Sequence, residues 1–133
     1  MLVVDASVLV VALADDGPHG EAARARLRDE ELTAPELVDL EVASVLRRQH
    51  RAGLLGHRRA ALAMEDLGEF PLLRAIHGPL LARCWELRDS LTPYDAVYVA
   101  LAEAWGAALL TGDRRLARAH GPRCAIETLR TPG

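Results

Sequence analysis

The sequence contains no lysine, only two cysteines and few aromatic residues. All 16 basic residues are arginine, and 19 acidic residues give the 133-residue chain a formal net charge of −3. This charge balance argues against a protein that coats nucleic acid or anionic lipid by bulk attraction alone. The absence of lysine is what codon bias in a GC-rich genome produces, and by itself it indicates no function.

The patterns of disulfide, zinc and membrane proteins are also absent. Cys84 and Cys124 lie far apart and form no Cys-x-x-Cys motif, which favours two buried free thiols. The five histidines form no His-Glu-x-x-His motif, so we expect no zinc site. No apolar run reaches the roughly 18 residues that a membrane span needs. The first residues lack a basic leader, and we therefore expect a cytoplasmic protein.

Half of the residues are apolar, and the length fits one domain over residues 1–133. Short apolar runs predict strands at 2–4, 32–34, 72–76, 107–110 and 124–129. Helical patterns and stop signals predict helices at 7–13, 20–28, 36–52, 57–67, 79–89, 94–105 and 114–119. This alternation predicts an α/β fold, with a parallel sheet, right-handed crossovers and helices on both faces.

Acidic residues stand where such a sheet binds its ligands, beyond the carboxyl ends of the strands. The chain has no Gly-x-Gly-x-x-Gly, no Gly-Lys-Ser/Thr loop and no Gly-x-Ser-x-Gly elbow. Instead, Asp5 follows the first strand and Asp113 follows the fourth, while Asp95 begins the helix that leads into that fourth strand. Three carboxylates are thus predicted near one edge of the sheet. Each also has a structural explanation, because Asp5 and Asp113 fit helix N-caps and Asp95 fits a capping box.

Glu41 has no such explanation, since it lies well inside a predicted helix. It shares a helix face with Leu37, Val38 and Val45, the apolar stripe that should pack inward. A carboxylate there needs a partner, because burying it unpaired costs several kcal/mol or forces protonation. Arg48 lies on nearly the same face, but about 10 Å along the axis, which is a long reach for a close ion pair. A salt bridge to another arginine stays open as the alternative.

A divalent metal ion accounts for all four acids together. Clustered carboxylates repel one another unless a cation neutralises them. Oxygen ligands without histidine or thiolate favour Mg²⁺ or Mn²⁺ over zinc. The chemistry that such a centre supports is hydrolysis of a phosphodiester.

Four segments of the sequence resemble the PIN-domain family of metal-dependent ribonucleases, and more narrowly its VapC toxins. They are Val3-Val4-Asp5-Ala6-Ser7, Pro35-Glu36-Leu37 through Glu41-Val42-Ala43, Leu91-Thr92-Pro93-Tyr94-Asp95-Ala96 and Leu110-Thr111-Gly112-Asp113. The resemblance covers essentially the whole chain. It implies a three-layer α/β/α sandwich around a parallel sheet of about five strands. It also implies that Asp5, Glu41, Asp95 and Asp113 are the metal-binding and catalytic set.

The resemblance carries further expectations for side chains near these acids. Thr111 is a candidate to position a water through its hydroxyl, and Ser7 is a weaker candidate for the same role. Arg114 and Arg115 follow Asp113 and are candidates for phosphate contact, with solvated surface charge as the alternative. Tyr94 is the best candidate for base stacking because it adjoins Asp95. The other aromatic residues are expected in the core, namely Phe70, Trp85, Tyr98 and Trp105.

The resemblance also implies partners: an RNA substrate, a VapB-type antitoxin that holds the toxin inactive, and a second copy in a homodimer. Leu54, Leu55 and Met64 are candidates for a partner groove on the helices at 36–52 and 57–67, although packing inside the monomer is the simpler role.

Three other functions stay open at this point. They are a housekeeping nuclease that matures RNA, a non-catalytic RNA- or protein-binding PIN module, and a phosphatase with Asp5 as nucleophile. The phosphatase is the weakest because position 7 holds a serine rather than an acid.

Overall fold

The computed structural model describes residues 1–130 and 132, and within them it shows one five-stranded sheet. The strands are β1 (Leu2–Val4), β2 (Leu32–Pro35), β3 (Leu72–Ala75), β4 (Ala108–Thr111) and β5 (Ile126–Thr128). All pair in parallel, in the order β3-β2-β1-β4-β5. The predicted α/β sandwich with about five parallel strands is confirmed.

Helices connect successive strands. They are α1 (Ala6–Ala14), α2 (Pro18–Leu27), α3 (Leu37–Arg51), α4 (His57–Glu69), α5 (Leu81–Glu86), α6 (Pro93–Trp105) and α7 (Arg114–Ala117), with a 3-10 turn at Gly78–Leu80. Helix α1 packs against α2, α3 and α4, whereas α6 packs against α5 and against β1, β2 and β4. Because parallel crossovers are right-handed, connections that run in opposite directions along the sheet place their helices on opposite faces.

The order of the strands creates a switch point between β1 and β4. The chain moves outward from β1 to β2 and β3, then returns across the sheet to β4 on the other side of β1. Helices that follow β1 and β4 therefore leave on different faces, and a crevice opens between them at the carboxyl ends of these strands. Asp5 and Asp113 lie at this crevice.

The strands at the switch point are deeply buried. Val3, Val4, Leu109 and Leu110 are each 0% exposed, as a central strand covered on both faces requires. Helix α6 is buried along most of its length, from Ala96 to Ala102. It ends at Gly106, whose φ of 63° is the left-handed conformation that favours glycine. A rigid core thus lies directly beneath the crevice.

Several predicted boundaries are wrong. Gly68 does not stop α4, which continues to Glu69 because the restriction comes from Pro71, whose preceding residue is extended. The helix predicted at 79–89 is instead a 3-10 turn followed by α5, which ends at Glu86. Helix α2 starts earlier than predicted because Pro18 occupies its first turn.

The prediction that most aromatic residues are core residues is also wrong. Trp85 is 68% exposed and Tyr94 62%, while Tyr98 alone of the five lies in the buried core. Both cysteines are free, with Cys84 buried and Cys124 partly exposed. Of the proposed partner-groove residues, Leu54 is 80% exposed and Met64 40%, whereas Leu55 packs partly against the core. Within the described residues, no helix is long and apolar enough to cross a membrane.

Candidate active site

An open cleft of about 290 Å³ lies at the crevice between β1 and β4. All four predicted acids line it, although they come from four separate elements. The residues of its wall are Asp5, Ala6, Ser7, Glu41, Ser44, Val45, Arg48, Asp95, Tyr98 and Asp113. Residues that are far apart in sequence therefore meet at one edge of the sheet, the edge at which the sequence predicted Asp5, Asp95 and Asp113.

Asp5 is the most enclosed of the four carboxylates, with 9% of its surface exposed. Ser7 Oγ donates to Asp5 Oδ1 at 2.5 Å, Thr111 Oγ1 donates to Asp5 Oδ2, and the Val8 backbone N–H donates to Oδ1 at 3.3 Å. Burial raises the pKa of the Asp5 carboxyl, and these three hydrogen bonds oppose that rise. The arrangement holds Asp5 in one orientation at the base of the cleft.

The two hydroxyls that hold Asp5 also join the loops after β1 and β4. Ser7 Oγ accepts from the Gly112 backbone N–H at 2.9 Å, and Thr111 Oγ1 accepts from the Asp113 N–H at 3.0 Å. Thr111 is 0% exposed and does not line the cleft. Its hydroxyl donates to Asp5, so Thr111 positions this carboxylate.

Among the described residues no arginine pairs with Glu41, so the structure does not show the salt bridge that the sequence left open as the alternative. Tyr98 Oη donates to Glu41 Oε1 at 2.5 Å, across the cleft from α6 to α3. Burial raises the pKa of Glu41 most, the hydrogen bond from Tyr98 lowers it, and the charges of Asp95 and Asp5 raise it again. Burial and the Glu41 carboxylate also raise the pKa of the Tyr98 hydroxyl. Glu41 is thus held by a neutral donor, and the charges of the other acids affect its pKa.

Asp95 and Asp113 both line the cleft and are close enough for their charges to interact. Burial raises the pKa of Asp95, and repulsion from Asp113 adds to it, while Thr92 and Arg115 oppose the rise. The hydrogen bond from Arg115, by contrast, lowers the pKa of Asp113, and the Arg115 N–H donates to its Oδ1 at 2.8 Å. The ion pair between these two side chains measures 3.2 Å, but the Arg115 side chain is 90% exposed, so solvent screens it.

The capping explanations agree with the structure for three of the acids. Asp5 caps α1 through Val8, and Asp113 caps α7 through Arg115. Asp95 stands three residues after the cap of α6, Thr92, whose Oγ1 accepts from the Asp95 backbone N–H at 3.3 Å. Capping accounts for the local position of each of these acids, but it does not explain why all three line one cleft with Glu41.

The other predicted residues divide into two groups. Ser7 lies in the cleft, whereas Arg114, Arg115 and Tyr94 are exposed and do not line it. Sequence analysis missed Tyr98 as a site residue, although a helical spacing of three from Asp95 places both on one face of α6. The same spacing from Glu41 reaches Ser44 on α3.

The donor set suits a hard divalent cation, since four carboxylates share one cleft, and burial, with a smaller contribution from neighbouring carboxylates, raises the pKa of Glu41 and of Asp95. Among the described residues, however, no three His, Cys, Asp or Glu side chains converge closely enough to hold one ion as they stand. Asp5, Glu41 and Asp113 are each held by a hydrogen-bond donor from the protein. The fit therefore rests on the chemistry and the common cleft.

Comparison with known proteins identifies the family to which the chain belongs. The profile of the PIN domain matches residues 2–122. Ribonuclease VapC3 of Mycobacterium tuberculosis is 46% identical over 125 residues, which cover 94% of this chain and 91% of that protein. The crystal structure of PAE2754 from Pyrobaculum aerophilum superimposes with a TM-score of 0.70 at 28% identity, covering 96% of this chain and 83% of that one.

A more distant structure shares the fold alone. VapBC2 from Rickettsia felis, solved bound to a DNA fragment from their promoter, aligns with a TM-score of 0.69 at 13% identity and covers 97% of this chain and 98% of that chain. The family profile spans most of the sequence, and the VapC relative matches nearly end to end. The chain belongs to the PIN-domain family and, within it, is related to the VapC ribonucleases.

Proposed function

We propose that this chain is a metal-dependent endoribonuclease toxin that hydrolyses RNA phosphodiester bonds. The observation that carries the proposal is that Asp5, Glu41, Asp95 and Asp113 line one cleft at the switch point of the sheet. The name of the VapC3 relative, a ribonuclease, supports the reaction class. RNA is the substrate class, and the scissile phosphate would lie over the acids.

We propose Mg²⁺ or Mn²⁺ as the cofactor, held by these four carboxylates. A divalent ion bound there supplies positive charge that acidifies an attacking water and stabilises the leaving oxygen. The chain's own contribution is orientation. Ser7 and Thr111 fix the Asp5 carboxylate, and Tyr98 fixes Glu41, so two of the four ligands are held by hydroxyl groups.

The negative charge of the cleft carboxylates must also be compensated before an anionic RNA strand can approach. Burial, and to a lesser extent repulsion between the carboxylates, already raises the pKa of Glu41 and of Asp95. A phosphate that enters the same space meets this negative charge unless cations compensate for it. RNA binding at the acids therefore depends on the divalent ion and on nearby arginine.

The remaining parts of the proposal concern context. We propose that the toxin acts in the cytoplasm as a single domain, forms a homodimer, and is neutralised by a VapB-type antitoxin. The similarity to the Rickettsia felis VapBC2 structure supports the antitoxin. Exposed apolar side chains, Leu54 after α3 and Trp85 on α5, support protein contacts at these two places.

The test is cleavage of total RNA by the purified chain in the presence of Mg²⁺ or Mn²⁺. We expect that EDTA abolishes cleavage and that Asp95→Asn lowers the rate by at least about 100-fold, since loss of even an outer-shell group near a metal costs 10- to 100-fold. Asp66→Asn, an exposed acid on α4, is the matched control and should leave the rate unchanged.

A second readout separates metal binding from activity. Mn²⁺ at about 100 times its Kd should stabilise the wild-type chain against thermal unfolding by about 2.7 kcal/mol. Asp95→Asn should lose most of this shift, and Asp66→Asn should keep it. Cleavage that persists in EDTA, or in Asp95→Asn, contradicts the proposal.

A further inference from the structure

One guanidinium lies in the wall of the acidic cleft. Arg48 is in the last turn of α3 and lines the same cleft as Asp5, Glu41 and Asp95. Of the described residues that form this wall, Arg48 is the only cation, and it is exposed to solvent. An arginine beside four carboxylates would ordinarily be expected to neutralise one of them.

Arg48 does not do so. Glu41 accepts its hydrogen bond from Tyr98, and Asp113 is paired with Arg115. Among the described residues, neither an ion pair nor a side-chain hydrogen bond involves the Arg48 guanidinium, whereas other arginines have both. Its N–H donors remain open toward the cleft.

The helix dipole alone does not explain why Arg48 lines the acidic cleft. A cation in the last turn interacts favourably with the helix dipole, but His50 and Arg51 occupy the same turn. The dipole favours positive charge anywhere around that turn and does not select the side that faces the cleft. The side of the helix is set by the spacing from Glu41, Ser44 and Val45, which also line the wall.

We propose that Arg48 binds a backbone phosphate of the RNA substrate, so that one strand lies along the cleft from the acids to this guanidinium. The proposal rests on the proposed function. A planar guanidinium offers paired donors that match the oxygens of a phosphate. It also supplies local positive charge where the carboxylates would otherwise repel the strand.

The phosphate bound by Arg48 is not the one that is cleaved. Glu41 and Arg48 are seven residues apart on α3, which places them about 10 Å apart along the helix axis. A phosphate held at Arg48 is therefore a neighbour of the phosphate over the acids. Such a contact fixes the register of the strand without reading its bases, and Arg48 is a substrate-binding residue.

The neighbouring arginine provides a matched control. Arg47 is also exposed on α3, but it does not line the cleft. The variants Arg48→Gln and Arg47→Gln remove the same charge from adjacent positions of one helix. Arg48→Lys keeps the charge and removes the paired donors, which separates charge from geometry.

The first measurement is binding of a short fluorescein-labelled single-stranded RNA, by anisotropy, with Ca²⁺ as the divalent ion that compensates the carboxylates, over a range of monovalent salt concentrations and with the RNA checked on a gel for cleavage. For Arg48→Gln we expect weaker binding by roughly tenfold or more. The slope of log affinity against log salt should fall by about 0.7, the value for one phosphate contact on a single strand. Arg48→Lys should keep the slope with reduced affinity, and Arg47→Gln should keep both.

The second measurement is steady-state cleavage with the divalent ion present. Arg48→Gln should raise KM with little change in kcat, since the contact is made equally in the bound substrate and the transition state. Thermal unfolding of each variant confirms that the exposed substitution leaves the fold intact.

The outcomes are distinct. Equal RNA affinity and equal salt slope for Arg48→Gln and Arg47→Gln overturn the inference, and so does a wild-type chain that binds no RNA at low salt. RNA cleavage that survives Asp95→Asn overturns the proposed function instead. In that case the binding comparison still decides whether Arg48 contacts phosphate.

Discussion

Hydroxyl groups, rather than arginines, hold the enclosed carboxylates of this cleft. Asp5 receives two hydroxyl donors, Ser7 and Thr111, and Glu41 receives one, Tyr98. A neutral donor orients a carboxylate without cancelling its charge, so the acid stays free to interact with a cation. Arginine in the same places would have formed closed ion pairs, as it does with Asp113.

Tyr98→Phe tests this role at a single atom. The change removes the hydroxyl that donates to Glu41, which leaves the carboxylate less restrained and its pKa still higher. We expect a 10- to 100-fold lower rate of RNA cleavage. The free energy of unfolding should fall by only about 0.5–1.5 kcal/mol, because solvent can reach Glu41.

Tyr94→Phe is the control for this experiment. Tyr94 lies one turn earlier on α6, is 62% exposed and does not line the cleft. Both activity and stability should be unchanged in this variant. If Tyr98→Phe cleaves RNA as fast as Tyr94→Phe does, the hydrogen bond to Glu41 has no role in activity.

At the scale of helices, two glycines in similar sequence contexts have different roles. A Cβ atom on Gly20 of α2 would lie 1.8 Å from the Asp15 backbone oxygen, at the close contact between α1 and α2. A Cβ on Gly68 of α4 meets no atom within 4 Å. The first glycine permits two helices to approach, and the second merely weakens its own helix.

The pair Gly20→Ala and Gly68→Ala therefore should change stability in opposite directions. Gly20→Ala should lower the free energy of unfolding by about 1–3 kcal/mol or more, because α1 and α2 must separate. Gly68→Ala should raise it by about 0.5–1 kcal/mol through higher helix propensity. Urea denaturation of both variants measures the difference, and the same sign for both would contradict this account of the two glycines.

At the scale of the whole molecule, arginine–carboxylate pairs join elements that are distant in sequence. Arg83 on α5 donates to Glu103 Oε1 on α6 at 2.7 Å and to the Gly121 carbonyl at 2.9 Å. The Arg123 backbone N–H donates to Glu103 Oε2 at 2.7 Å. Burial opposes ionisation of Glu103, yet these donors together lower its pKa below the ordinary value of 4.5.

This lowered pKa predicts how stability depends on pH. Because the folded chain holds Glu103 ionised more strongly than the unfolded chain does, its contribution is full above about pH 4.5 and is lost as the pH falls through the lowered folded-state pKa. Glu103→Gln should cost about 1 kcal/mol or more at neutral pH. The difference from the wild-type chain should shrink at lower pH, as measured by urea denaturation in a pH series.

Glu65→Gln is the control for the pH series, since Glu65 is exposed on α4 and forms no ion pair among the described residues. Its effect should be small and independent of pH. A difference between wild type and Glu103→Gln that stays constant from neutral to acidic pH would rule out the ionised pair as its source.

The order of strands and helices could be predicted from local sequence, since apolar runs and helical patterns are recognised from residues that are close together in the chain. Asp5 and Asp113 were also accessible, because the carboxyl ends of parallel strands share one edge of a sheet. The extension of α4 to Glu69 could not be predicted from the sequence pattern, since a glycine weakens a helix but does not end it. The exposure of Trp85 was missed because apolar neighbours in sequence do not imply burial.

By itself, the sequence indicated the fold class through its periodicity, and it pointed to the four acids as candidates: Asp5 and Asp113 after strands, Asp95 at a helix start and Glu41 on an apolar helix face. Only the tertiary structure decided their partners: Thr111 for Asp5, Tyr98 for Glu41, and none among the described residues for Arg48. The physical reason is range. Periodicity acts over one or two turns, whereas a hydrogen bond between residues 57 or 106 positions apart depends on how the whole sheet and its helices are arranged.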